Sequence, residues 1–293
     1  IILVLLIMAA VAIFIQRDKS VKEAAKIHNQ KAKKTEQTSQ AAQKENEIEE
    51  ETEGAEEETG DRDASVPDRS NFAVQPGVSV GTTEQSDEKI VYLTLDDGPS
   101  DNTQAVLDIL DKYNAKATFF VTGEMPEYKD MIKAAYDKGH TIGMHTYSHD
   151  YAKVYASVDA YFQDLDQIGQ MVQEEIGYIP CFIRFPGGSS NTVSKKYTAG
   201  IMSTLVQEVQ NRGYQYYDWN GSSGDGSVRT TEELVAQATS FDSNNIILLC
   251  HDSHGKQTTV EALPQIIEHY QSLGYTFKAL DRDSFVAHHG VNN

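Results

Sequence analysis

The stretch IVYLTLDDGPS, residues 90–100, determines how this chain is organised. Its first six residues form a short apolar run typical of a buried β-strand, and the Gly-Pro pair predicts a turn directly after it. Two neighbouring carboxylates, Asp96 and Asp97, end the strand and repel each other. We expect a positive charge to compensate them, and a divalent metal ion is the simplest candidate.

A second motif, HTYSH, places His145 and His149 four residues apart, so that both imidazoles can reach one ion. One Asp and two His form a three-ligand set with open positions, which is typical of catalytic metal sites. The other Asp is then free to act as a base. A zinc peptidase is disfavoured, because such enzymes carry HExxH and the residues between these histidines are Thr, Tyr and Ser.

Strand-like runs and helical stretches alternate from Lys89 onward. The seven strand-like runs cover residues 90–95, 117–121, 141–145, 181–185, 214–219, 246–250 and 275–280. Residues 103–113 and 259–273 show the apolar spacing of amphipathic helices. This alternation predicts an α/β fold with a parallel sheet. A distorted (β/α) TIM-like barrel of about seven strands is favoured over a Rossmann sheet, because no GxGxxG loop follows the first strand.

Polar side chains follow the strands of this predicted barrel. They are Asp96 and Asp97, His145, Arg184, Asp218 or Asp225, and His251. In a βα barrel the carboxyl ends of the strands share one face, where active sites assemble. The sequence therefore predicts one site built from several strands.

The first 88 residues have a different composition. Residues 1–15 are apolar and uncharged, and we expect residues 1–16 to form a transmembrane or signal-anchor helix, with a cleaved signal peptide as the alternative. Residues 17–88, rich in charged and turn-forming residues, are expected to be an acidic flexible linker. The predicted domain spans 89–283, followed by a tail over 284–293. This organisation predicts an extracytoplasmic domain held at a membrane, or a secreted one if the segment is cleaved.

Charge excludes one class of partner. The net charge is −19; residues 1–88 carry 10 basic and 18 acidic side chains, which leaves −11 for residues 89–293. An acidic domain without a Lys/Arg cluster argues against nucleic-acid binding, and a neutral or cationic polymer is a more natural substrate. We expect a monomer. The two cysteines, Cys181 and Cys250, lie in apolar runs and are interpreted as buried free thiols, with a disulfide as the alternative.

Five motifs together resemble a known family. TLDDGP (94–99), HTYSH (145–149), RFPGG (184–188), DWNGSSGD (218–225) and LLCHD (248–252) are similar, in this order, to the motifs of the polysaccharide deacetylases. These enzymes form carbohydrate esterase family 4 and share the NodB homology domain. The resemblance covers roughly residues 89–283, and it implies a distorted (β/α) barrel.

The resemblance implies a metal site and a base. Asp97, His145 and His149 would bind a divalent ion, most often Zn²⁺, with Co²⁺, Ni²⁺ or Mn²⁺ as alternatives. Asp96 would be the general base, and Arg184 would hold it in place and keep it ionised.

The resemblance also implies groups around the scissile bond. The backbone N–H of Gly187 would stabilise the oxyanion, and His251 would be the general acid. Asp225 would pair with His251 and raise its pKa, while Leu249 would line the pocket for the acetyl methyl.

Two positions depart from the family pattern and concern the sugar groove. Many relatives have an aromatic residue where Gly187 stands, and the family usually places a Trp directly after the acid, where this chain has Gly226. Trp219, the only tryptophan, precedes that position and is interpreted either as a substrate-binding residue that fills part of this space or as core.

The resulting expectation is a metal-dependent hydrolase that removes N-acetyl groups from N-acetylglucosamine residues of a cell-wall polysaccharide. The predicted anchor and tether favour peptidoglycan. Chitin-like chains, exopolysaccharide or acetyl-xylan are alternative substrates. A non-catalytic wall-binding barrel is another alternative, but it predicts the loss of Asp96, Arg184 or His251, and all three are present.

Overall fold

A curled sheet of parallel strands forms the centre of the molecule, whose computed structural model describes residues 69–293. The strands are β1 (Ile90–Asp96), β2 (Ala117–Val121), β3 (Thr141–Met144), β4 (Phe182–Ile183), β5 (Gln215–Tyr216), β6 (Gly221–Ser222), β7 (Asn245–His251) and β8 (Thr276–Phe277). Their order across the sheet is β5-β4-β3-β2-β1-β7-β6, and β8 pairs with the amino end of β1. The predicted parallel α/β sheet is therefore confirmed.

Each of the seven predicted strand-like runs overlaps one of these strands, and β6 is the strand that the sequence did not predict. This strand consists of Gly221 and Ser222, which pair with Leu248 and Leu249 of β7. A small polar pair has no apolar pattern, so only the long β7 beside it defines it as a strand.

Seven α-helices are present within residues 69–293. They are α1 (Thr103–Lys112), α2 (Asp130–Asp137), α3 (Tyr151–Val154), α4 (Val158–Ile176), α5 (Ile201–Asn211), α6 (Thr231–Ala238) and α7 (Gln257–Ser272). Side-chain caps begin several of them: Thr230 and Glu233 form a capping box at α6, and Ser157 accepts the Ala160 N–H at α4. The predicted helices at 103–113 and 259–273 correspond to α1 and α7.

The strands separate two apolar clusters. Along β1, Val91, Leu93 and Leu95 join a cluster that also contains the buried faces of the helices. Tyr92 points the other way, because successive side chains of a strand alternate between faces, and it joins an inner cluster that contains no residue of the seven α-helices. Asp96 shares the face of Tyr92, so this carboxylate stands at the end of the inner surface. Both cysteines are buried free thiols, as predicted.

The amino-terminal segment of the described region packs against the sheet, so the linker prediction is wrong for residues 69–88. Phe72 is buried in the inner cluster and its carbonyl accepts the Cys181 N–H at 2.9 Å. The Val74 N–H donates to the Ile179 carbonyl at 2.8 Å. Turn-forming composition does not reveal such backbone pairing. The predicted anchor (1–16) and the linker up to residue 68 lie outside the described residues.

The predicted tail over 284–293 is packed as well. Phe285, Val286 and Ala287 are buried beside the inner cluster. The carbonyl of Asn293 accepts the Ser203 N–H in the first turn of α5 at 2.8 Å. Within residues 69–293, no helix combines the length and the apolar character that crossing a bilayer requires.

Candidate active site

The predicted site residues meet at the carboxyl ends of the strands. Asp96 ends β1 and His251 ends β7, and the two are direct neighbours in the sheet register. His145 directly follows β3, and Arg184 directly follows β4. The structure therefore brings together side chains that are up to 155 positions apart in the sequence, through the parallel arrangement of four strands.

Three side chains, those of Asp97, His145 and His149, face one another without a hydrogen bond between them. Asp97 Oδ1 lies 3.5 Å from His145 Nε2 and 3.3 Å from His149 Nε2. One ligand atom from each residue lies within 4.8 Å of the others. Asp97 Oδ1 is buried and has no hydrogen-bond partner. A buried unpaired carboxylate oxygen is costly, and a cation between these three residues would remove that cost.

The tautomer of His145 suits a metal ligand. Its Nδ1 lies 2.8 Å from the Arg184 carbonyl oxygen, which can only accept, so Nδ1 carries the proton and Nε2 presents its lone pair. Burial lowers the pKa of His145 and keeps it neutral. Burial alone would raise the pKa of Asp97, but the imidazoles of His145, His149 and His251 outweigh it and lower that pKa. These three residues thus fit a divalent ion.

The backbone around the triad adopts an uncommon conformation. Asp97, Thr146 and His149 have φ angles of 68°, 70° and 48°, in the left-handed region that costs about 1–3 kcal/mol for residues other than glycine. One carboxylate of α4 holds the loop after β3: Asp164 accepts the Ser148 N–H at 3.1 Å and also the Tyr147 N–H. Sequence reasoning missed Asp164, since nothing distinguishes it from other acids of a helix.

The second carboxylate of the pair has a different partner. Arg184 Nη1 lies 2.7 Å from Asp96 Oδ1 and also donates to Thr94 Oγ1 at 2.8 Å. The guanidinium is fully buried, and its other nitrogens donate to the carbonyls of Tyr217 and Asp218 at 2.9 and 3.1 Å. Such a charge-assisted contact fixes the orientation of the carboxylate. Of the two adjacent acids, Asp97 therefore faces the histidines and Asp96 faces Arg184.

His251 is held by the Asp225 carboxylate. Its Nδ1 lies 2.8 Å from Asp225 Oδ1, and its backbone N–H donates to Oδ2 at 2.8 Å. Thr259 Oγ1 donates to the same Oδ2 at 2.9 Å. Burial favours the neutral imidazole, but the Asp225 contact outweighs it and raises the pKa of His251 to about 9. The ring is therefore charged at neutral pH, with Nε2–H directed toward Asp97 at 3.9 Å.

Gly187 and Leu249 complete the predicted set. Gly187 has a φ of 76° and is exposed, and its N–H donates to no acceptor within residues 69–293. Leu249 precedes His251 by two positions on β7, so both side chains point to the same face, and it is 7% exposed. An unpaired N–H and a small apolar surface are thus present near the polar groups.

Asp218 and Trp219 have different surroundings from those of Asp225. The Asp218 carboxylate accepts N–H groups from Ser189 and His289, both at 2.8 Å, so it fixes the loop after β4 rather than contacting His251. Trp219 is partly buried and packs against the inner cluster. It precedes β6 whereas Asp225 follows it, and the space around Gly226 is open. The packing fits the core interpretation, and the assignment of Trp219 as a substrate-binding residue stays a prediction.

Asp252 is a second carboxylate that sequence reasoning missed. It is fully buried beneath Gly98, and Thr103 Oγ1 donates to its Oδ2 at 2.6 Å, while Oδ1 has no partner. Burial raises the pKa of Asp252 to about 7. The sequence shows that Asp252 directly follows His251. It does not show that Asp252 contacts the turn that carries Asp97, because this contact depends on the fold.

Comparisons with known proteins agree with this geometry. The sequence model of the polysaccharide deacetylases matches residues 83–206. The solved catalytic domain of a peptidoglycan N-acetylglucosamine deacetylase from Eubacterium rectale is 47% identical, with a TM-score of 0.69; the match covers 72% of this chain and 97% of that one.

Two further relatives differ in the substrate that they are named for. A peptidoglycan-N-acetylglucosamine deacetylase of Bacillus cereus is 29% identical over 226 residues, which cover 72% of this chain and 78% of the relative. A chitin deacetylase of Arthroderma benhamiae is 36% identical over 182 residues, 60% of this chain and 46% of the relative. By these similarities, the chain belongs to the polysaccharide deacetylases, the NodB-domain enzymes of carbohydrate esterase family 4.

Proposed function

We propose that this protein is a metal-dependent N-deacetylase that acts on N-acetylglucosamine units of peptidoglycan. In the proposed reaction, water adds to the acetamide carbonyl carbon, the carbon–nitrogen bond breaks, and acetate and a free sugar amine leave. The observation that carries the proposal is the unpartnered Asp97 Oδ1 between two imidazoles, next to a carboxylate held by Arg184 and an imidazole held by Asp225.

The metal would be held by Asp97, His145 and His149. We propose Zn²⁺, with Co²⁺, Ni²⁺ or Mn²⁺ as alternatives, because neutral imidazoles and one carboxylate suit such ions. A divalent ion at this position supplies Lewis-acid polarisation of the amide carbonyl and lowers the pKa of water.

Asp96 accepts the proton of the attacking water in this proposal. Its carboxylate is held 2.7 Å from Arg184 Nη1 through Oδ1, and its other oxygen remains available. Arg184 does not itself need to touch the substrate, since four hydrogen-bond acceptors around it fix its position.

His251 donates a proton to the leaving nitrogen. An amine is a poor leaving group unless it is protonated, and a pKa of about 9 keeps this imidazole charged at neutral pH. The Gly187 N–H stabilises the negative charge that develops on the carbonyl oxygen. Leu249 provides an apolar surface for the acetyl methyl group.

Peptidoglycan is favoured by the names of the relatives and by the acidic composition, which suits a product that carries free amines. We further propose that the domain works outside the cytoplasm as a monomer, held at the membrane through residues 1–16. Chitin-like chains, exopolysaccharide and acetyl-xylan remain alternative substrates with the same chemistry.

Acetate release from a panel of polymers tests this function. The zinc-loaded protein is incubated with purified peptidoglycan, N-acetylglucosamine oligomers and acetylated xylan, with the Asp96→Asn variant as the matched inactive control. We expect release from peptidoglycan that exceeds release from the other two polymers. Acetate from xylan alone would assign an ester substrate, and no acetate from any polymer would refute the proposed activity.

A further inference from the structure

A phenol that has no part in the mechanism above lies beside the Gly187 backbone. Tyr151 begins α3 and is partly buried. A Cβ atom placed on Gly187 would lie 2.6 Å from the Tyr151 hydroxyl oxygen and 3.5 Å from its Cζ. The tyrosine therefore occupies the space that a side chain at position 187 would need.

Neighbouring rings fix the orientation of Tyr151. It meets the His149 ring edge to face at 5.8 Å and the Tyr155 ring at 5.6 Å. Tyr155 is buried, and its hydroxyl donates to the Pro186 carbonyl at 2.8 Å. Tyr151 is thus wedged between the loop that carries the metal-binding histidines and the loop that carries Gly187.

The Tyr151 hydroxyl is available to a ligand. It forms no hydrogen bond with residues 69–293 and is not shielded from solvent, whereas the hydroxyl of Tyr155 is bound. A phenol keeps its proton at neutral pH, so this hydroxyl can act as a donor.

The Gly187 N–H and the Tyr151 O–H are thus two donors that have no acceptor within residues 69–293, and both lie next to the predicted metal site. We infer that Tyr151 contacts the substrate and that its hydroxyl donates a hydrogen bond to the oxygen of the reacting acetamide, beside the Gly187 N–H. This inference rests on the proposed deacetylase function. A donor at this place strengthens as negative charge develops on the oxygen, so it acts mainly on the transition state.

The Tyr151→Phe variant removes the hydroxyl and retains the ring that packs on His149. We expect kcat to fall by about tenfold to a hundredfold, because removal of an oxyanion donor acts on the transition state. KM and zinc affinity should stay within about twofold, since neither depends on this donor. Tyr197→Phe is the matched control: Tyr197 is 45% exposed, forms no side-chain hydrogen bond within residues 69–293, and should leave kcat unchanged.

Several results would overturn the inference. The first is a kcat of Tyr151→Phe equal to that of the wild type. The second is a fall in kcat accompanied by an equal fall in zinc affinity, because a loss of zinc would indicate that Tyr151 acts only by packing on His149. If the wild-type protein releases no acetate at all, the proposed function fails separately. Calorimetry with acetohydroxamate on the zinc-loaded protein then decides: binding weakened about tenfold by Tyr151→Phe supports the contact, and unchanged binding refutes it.

Discussion

The two halves of the active site are built differently. In the metal half, Asp97 and the two histidines face one another without a hydrogen bond, and Asp97 Oδ1 has no partner. In the acid–base half, Asp96 is bound by Arg184 and His251 by Asp225, at 2.7 and 2.8 Å. The protein itself holds the second half in place, whereas a cation would complete the first under the proposed function.

This difference indicates which properties the chain controls by itself. Hydrogen bonds fix the orientation of Asp96, and the Asp225 contact sets the charge of His251, before any ligand binds. The metal half instead carries left-handed backbone at Asp97, Thr146 and His149, with electron-pair donors held close together. The two halves should therefore respond differently to substitution, and the following predictions test that separation.

The largest effect is expected from the metal half. The His145→Ala variant should lose zinc binding, and acetate release should fall by about a thousandfold or more, since metal polarisation contributes several kcal/mol. Calorimetry and an acetate assay measure the two effects. His254→Ala, which removes an exposed histidine of the loop after β7, is the control and should match the wild type. Retained zinc affinity in His145→Ala would contradict the assigned ligand set.

Replacing the proposed base, Asp96, should reduce activity without removing the metal. Asp96→Asn keeps the shape of the side chain but cannot accept the proton of water, so acetate release should fall by about a hundredfold to ten-thousandfold. Zinc affinity should stay within a few-fold of the wild type, because Asp96 faces Arg184. If Asp96→Asn lost zinc instead, the division of the two adjacent acids would be incorrect.

The pKa of the proposed general acid, His251, depends on Asp225. In the metal-free protein, NMR titration should give His251 a pKa of about 9, and Asp225→Asn should lower it toward 6.5. Because the folded-state pKa is raised, this contact stabilises the fold fully below about pH 6.5, and the effect is lost as the pH rises through about 9. The gain below that window is on the order of 3 kcal/mol. An unchanged His251 pKa in the variant would show that Asp225 does not set it.

The smallest effect is expected from Asp164, which holds the loop after β3 between His145 and His149. Asp164→Asn leaves one acceptor oxygen for the N–H groups of Tyr147 and Ser148. Zinc affinity should therefore fall by about tenfold, which is the smaller end of the effect expected when a residue that supports metal ligands is replaced. Glu174→Gln, on the same helix and mostly exposed, provides the control. Equal zinc affinity in both variants would remove Asp164 from the metal half.

Local sequence contained most of the site. Asp96, His145, Arg184 and His251 each follow or end an apolar strand, and parallel strands bring such positions to one face without further information. The two aspartates and the HTYSH spacing are likewise local, so the sequence alone was sufficient to predict that Asp97, His145 and His149 lie together.

The rest depends on contacts between distant segments. Asp164 lies in mid-helix and Tyr151 at a helix start, and neither carries a signal in the sequence that links it to Gly187 or to the histidine loop. The strand Gly221–Ser222 exists through its pairing with β7. The segment around Phe72 resembles a linker in composition, yet it packs by backbone pairing that composition does not encode.

Mass spectrometry of muropeptides, after treatment of purified peptidoglycan with the zinc-loaded protein, tests the central claim most directly. Asp97→Asn and the metal-stripped wild type serve as the parallel samples. We predict that single acetyl groups are lost from N-acetylglucosamine with the zinc-loaded wild type alone, and that zinc restores the stripped protein but not the variant. Undiminished deacetylation by the stripped protein, or by Asp97→Asn, would contradict the account of the metal half.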